Sequence, residues 1–176
     1  MVKQLMILAS FLILFGCEAN AQKLNITTIY SEPNRVTREV PETGGKHTYT
    51  TRKEVTERLN PMIVMTSKNA EILKFRIQGN ISSGGLNIYK IRKIRFEKGE
   101  QNGNNMTLRY YAEIKKIPGK EDADVAGYNY TKDETYKIPN DVKIIKIELY
   151  EDQIKDTSGT APKLIVEQTF NFFVKI

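Results

Sequence analysis

With a single histidine, a single cysteine and no tryptophan in 176 residues, few catalytic constellations can be assembled from this chain. Nucleophilic catalysis needs a base beside its nucleophile, usually histidine. His47 stands next to Lys46 at the start of a strand-like tract and reads as a surface residue. Three or four His or Cys ligands for zinc are not available. Gly44-Gly45-Lys46 lacks the spacing of a phosphate loop, and residues 79–85 (GNISSGG) precede no helix, so both read as turns.

Carboxylates are the remaining route to an enzyme. Asp122 and Asp124 fall in a long unpatterned segment, and Glu148, Glu151 and Asp152 at the end of a strand-like tract. Glycoside hydrolysis demands two acids at a set separation across a cleft, and calcium demands about six to eight oxygens. The D-x-[DN]-x-[DN]-G pattern is absent, so these read as solvated charges with no metal and no cofactor implied.

Two groups of residues suit binding better than catalysis. Tyr128, Tyr130 and Tyr136, beside Asn129 and Thr131, offer rigid amphipathic rings for stacking on sugars or anchoring a protein. The competing expectation is that alternate tyrosines cap the edge of a core, and the lack of tryptophan weakens a sugar site. Lys90, Arg92, Lys93 and Arg95, continued by Lys98, are the densest basic run; with Tyr89 and Phe96 they imitate a single-strand nucleic-acid surface. Export argues against nucleic acid and points to anionic glycan or lipid head groups. The formal charge of +6 leans the same way, although Arg76-Ile77 and Lys143-Ile144 show cations alternating with apolar residues, as on a solvated sheet face.

Export is read from the N-terminus. Lys3, an apolar stretch over residues 5–15 and Ala19-Asn20-Ala21 are the parts of a secretory signal peptide, residues 1–21, leaving a domain over 22–176. The apolar stretch falls short of the roughly 20 residues that span a bilayer. Leu14-Phe15-Gly16-Cys17 resembles the lipobox of bacterial lipoproteins, with Phe15 departing from the usual small residue. That resemblance implies lipidation at Cys17 and an outer-membrane tether as the alternative to a free periplasmic or secreted protein. With Cys17 in the leader, the domain has no disulfide and relies on core burial.

The elements that must position these residues are strands. Residues 164–176 (LIVEQTFNFFVKI) place Leu164, Val166, Phe170, Phe172, Val174 and Ile176 on one parity, a period of two. Similar alternation marks 24–30, 73–77, 106–114 and 142–150. Turns are expected at 31–34, around Pro33, and at 42–45. Residues 46–56 suit an edge strand, with a short helix over 54–59 as an option before Pro61, and 62–66 (MIVMT) a buried strand. Register changes within 86–96 suggest a bulge, and 98–105 a loop. Residues 120–140 are long for a structureless connection, so they form a functional loop or hide a strand at 128–138. Sequons stand at Asn25, Asn80, Asn105 and Asn129, and in a eukaryotic host would mark exposed surface.

The pattern predicts an all-β, single-domain immunoglobulin-like two-sheet sandwich of about eight or nine strands, with an up-and-down barrel as runner-up. Without the Cys and Trp hallmarks of antibody domains, sheet topology stays open. The functional expectation is an exported, non-enzymatic binding or structural module of the bacterial cell envelope, with a protein or anionic glycan partner. A small barrel carrying an apolar ligand is the alternative, and a carboxylate-based hydrolase the least favoured.

Overall fold

A computed structural model describes residues 23–154 and 160–172; the expected signal peptide, Cys17 and residues 173–176 lie outside them. Nine strands and no helix occur among the described residues: β1 (Asn25–Val40), β2 (Gly45–Glu54), β3 (Met62–Lys68), β4 (Ile72–Ser82), β5 (Asn87–Asn102), β6 (Asn105–Pro118), β7 (Val125–Lys137), β8 (Ile144–Ile154) and β9 (Lys163–Asn171). They form two sheets, ordered β2-β1-β7-β4-β3 and β5-β6-β8-β9. This is the expected two-sheet sandwich and not the up-and-down barrel.

Alternation builds the core. Leu73, Phe75, Ile77 and Ile81 of β4 face Met106, Leu108, Tyr110, Ala112 and Ile114 of β6 and Ile145, Ile147 and Leu149 of β8, all buried in one cluster with Phe170 of β9. Each such aliphatic side chain contributes about 1.5–3 kcal/mol by leaving water. Aromatic rings stitch the layers: Phe75 meets Tyr110 edge-on at 5.7 Å, and Phe96 lies 5.1 Å from Tyr110 and 6.4 Å from Tyr136. The chain leaves β6 for β7 in the other sheet and returns as β8, so β6 and β8 pair in parallel while all other neighbours are antiparallel.

Several local expectations are corrected. No turn interrupts residues 31–34. Instead β1 runs straight through Pro33, shifting register between Ile29 and Tyr30, where it leaves β7 and takes up β2. From Glu32 on, β1 has β2 as its strand neighbour and no strand on its other edge, so proline's missing N–H breaks no ladder. The 62–66 run is an edge strand in which only Ile63 is buried, with Met62, Val64 and Met65 exposed. Residues 54–59 are not helical. Gly79 belongs to β4, opposite Tyr130, where a Cβ would stand 2.5 Å from the Tyr130 hydroxyl. The expected bulge in β5 falls between Ile91 and Lys93, and residues 98–105 are the end of β5 and a tight turn at Gly103.

Residues 120–140 do hide a strand, and it is the centre of its sheet. The inward side chains of β7, opposite Ile81, Gly79, Ile77, Phe75 and Leu73, are Tyr128, Tyr130, Lys132, Glu134 and Tyr136. Lys132 Nζ and Glu134 Oε1 neutralise each other at 2.5 Å, and Lys132 Nζ donates to the Ile94 carbonyl at 3.3 Å.

Candidate functional site

The outer face of the four-stranded sheet carries the densest polar and aromatic arrangement. On β6, Arg109, Tyr111 and Glu113 alternate with buried Leu108, Tyr110, Ala112 and Ile114; on β8, Lys146, Glu148, Tyr150 and Asp152 alternate with Ile145, Ile147 and Leu149. Period two sends these polar sets outward together. The parallel register then sets Arg109 beside Glu148, Tyr111 beside Tyr150 and Glu113 beside Asp152, while β5 brings Arg95 opposite Tyr111.

Tyr111 and Tyr150 are stacked, with ring centroids 5.1 Å apart and planes inclined by 19°. The Arg95 guanidinium lies 4.2 Å from the centre of the Tyr111 ring. It also reaches Glu97 at 3.0 Å, Glu113 at 3.2 Å and Asp152 at 3.6 Å. Burial alone would lower its pKa, and the Glu97 and Glu113 carboxylates outweigh that and raise it.

Glu148 is buried on the far side of the tyrosine pair. It takes Lys146 Nζ at 2.9 Å, the Tyr150 hydroxyl at 2.9 Å and Arg109 Nε at 3.3 Å. Burial pushes its carboxyl up, but these three donors hold it below the ordinary range. Burial and the bond to Glu148 push the Tyr150 phenol up. The result is a stack of one guanidinium and two rings running across β5, β6 and β8, held at both ends by ion pairs and presenting its edges and the phenol groups to solvent.

The expected site residues divide between this face and the interior. Arg95 and Lys93 belong to it, with Lys93 Nζ 3.6 Å from Glu113. Arg92 is exposed at the β5 bulge, and the Lys90 ammonium lies 5.8 Å from the Tyr128 ring at the junction with the other sheet. Tyr128, Tyr130 and Tyr136 stand on a central strand rather than a loop. Tyr130 is buried, Tyr128 donates to Glu121 Oε2 at 3.3 Å, and Tyr136 packs on Phe96. Burial pushes the phenols of all three up.

Other expected chemistry is scattered. His47 stacks on Tyr49 at 6.0 Å along exposed β2. Asp124 pairs with Arg52, and Asp122 accepts the Asp124 amide at 3.1 Å. No group of three or more His, Cys, Asp or Glu suited to a metal occurs among the described residues, and no helix there is long and apolar enough to cross a membrane. Asn129, a sequon residue, is buried with its amide spent on the chain at residues 57–59.

Sequence reasoning missed Tyr111, Tyr150 and Arg109. A signal was present: Arg109-x-Tyr111-x-Glu113 and Glu148-x-Tyr150-x-Asp152 share one phase of alternation. What joins them is the parallel register of β6 and β8, which no local pattern encodes. No family model, curated protein or solved structure matches the chain. The fold defines an all-β sandwich, and its candidate site stands on its own geometry.

Proposed function

We propose that this protein is an exported, non-enzymatic binding module of the bacterial cell envelope, with the outer face of the β5-β6-β8-β9 sheet as its contact surface. The observation that carries the reading is the Tyr111–Tyr150 stack capped by Arg95 on a solvent-facing sheet. Stacked rings held rigid before contact lose little entropy on binding. Exposed Arg92 on β5 and Lys115 on β6 supply positive charge along the strands beside the tyrosine stack. The partner proposed is an anionic glycan that lies along the edge of this stack while its acidic groups meet these cations. Export rests on the signal-peptide features of residues 1–21, with lipidation at Cys17 as the alternative route to the envelope.

Affinity electrophoresis through gels containing an acidic or a neutral polysaccharide tests this. Retardation by the acidic polymer, weakened by Tyr111→Ala and by added salt, is the expected result. Mobility unchanged in both gels, or retardation indifferent to Tyr111→Ala, would refute it.

A protein partner is the second reading, favoured by a different feature. Residues 31–40 of β1 and all of β2 form a two-stranded ribbon of ten paired positions with both faces largely exposed. Such ribbons are marginal in water unless something packs on them.

A further inference from the structure

The inward row of β8 changes character after Leu149. Ile145, Ile147 and Leu149 fill the core, and the next two positions of that parity are half-buried Glu151 and exposed Gln153, which put a carboxylate and an amide at the open end of the sandwich. There the sandwich opens into a cleft of about 330 Å³ bounded by residues 80–82 of β4, Tyr89, Ile114, Glu151 and Gln153. β3 pairs with β4 no further than Gln78, so residues 80–82 line the cleft without β3 beside them.

None of the described hydrogen bonds or ion pairs involves the Glu151 carboxylate. Its cross-strand partner is Lys163, yet no ion pair joins the two among the described residues. Half-exposed at the mouth of the cleft, this carboxylate keeps its acceptor oxygens available to a ligand. Around it the cleft is lined by Gln153, Tyr89, Ile81 and Ile114. An acid beside an aromatic ring and a short apolar wall is the complement of an ammonium group on a hydrocarbon stem.

We propose that this cleft binds an alkylammonium group, with Glu151 taking the ammonium and Ile81, Tyr89 and Ile114 taking the stem. The same chemistry comes from a free diamine or from a lysyl side chain of a peptide. The site is separate from the tyrosine stack: Glu151 and Tyr150 have opposite parity on β8.

Amide chemical shifts of the full chain, titrated with cadaverine, with Nα-acetyl-lysine methylamide and with 1-pentanol, test the proposal. Saturable shifts at Tyr89, Ile114 and Gln153 are expected with an amine and not with the alcohol. Glu151→Gln should weaken that binding about tenfold or more. Binding of cadaverine alone identifies a free diamine as the source, and binding of the lysyl amide alone identifies a peptide. Silence with both amines, equal shifts with pentanol, or amine affinity unchanged in Glu151→Gln would overturn it.

Discussion

Asn80 and Asn129 face each other directly across β4 and β7, and their two amides hold the same short stretch of chain. Asn129 accepts the Leu59 N–H at 2.9 Å and donates to the Glu57 carbonyl at 2.8 Å; Asn80 donates to the Leu59 carbonyl at 2.7 Å and accepts Arg58 Nη1 at 2.8 Å. Residues 57–59 have no strand partner, and the asparagine pair satisfies in side chains the groups a ladder would otherwise satisfy.

Removing Asn129 should therefore cost far more than its size suggests. Asn129→Ala leaves the Leu59 N–H and the Glu57 carbonyl without these partners, each worth about 1–3 kcal/mol when buried. A loss of about 2–4 kcal/mol is expected in urea unfolding. Asn25→Ala, at an exposed end of β1, should stay within about 0.5 kcal/mol of the parent. Equal effects would show that residues 57–59 are held by something else.

Gly127 marks a second irreplaceable spot. It has φ +155, and a Cβ built there would overlap the Ile81 carbonyl oxygen, part of the backbone of the neighbouring strand. Backbone cannot yield as a side-chain end can. Gly127→Ala should thus lower stability by about 2 kcal/mol or more. Gly103→Ala, at a turn with open space around it, should cost only the φ penalty of about 1–2 kcal/mol. Unfolding midpoints of the two variants decide the order.

In the tyrosine stack, binding and stability should separate. Tyr111 lies on the outer face, so Tyr111→Ala gives up ring stacking worth about 0.5–1.5 kcal/mol and opens no cavity in the core. Tyr110→Ala, one residue earlier but buried, should cost about 3–5 kcal/mol. Denaturation curves of the pair, set beside glycan retention, test whether Tyr111 serves the surface rather than the fold.

How much of this was legible follows from where the alternation is clean. β4, β6 and β8 could be placed because their inward rows are almost wholly aliphatic. β7 was hard to see because its inward row reads Tyr, Tyr, Lys, Glu, Tyr, with the two charges cancelling only in three dimensions. β3 looked buried because MIVMT is apolar on both parities, yet it took an edge, which composition alone does not reveal. The tyrosines near residue 130 were noticeable as a cluster and turned inward. The pair that faces solvent is separated by 39 positions, as its flanking ion pair Arg109–Glu148 is, and meets only through the parallel β6–β8 register.

That same ion-pair cluster fixes the sign of the response to acid. The folded carboxyl of Glu148 lies below its ordinary value of 4.5, because Lys146, Tyr150 and Arg109 outweigh the cost of burial. A depressed folded pKa gives stability that is fully present above the unfolded pKa and lost as pH falls through the folded one. Asp133, held down by Arg76, and Glu54, held down by Arg58, act in the same direction from more exposed positions. Stability should accordingly be level above about pH 5 and fall below pH 4.5. Glu148→Gln should lower it at neutral pH, where a neutral amide faces Lys146 and Arg109, and the gap to the parent should narrow as the medium becomes acid. Urea midpoints across that range, for both proteins, check the sign; a gap that widened toward acid would mean that Glu148 is protonated in the folded state.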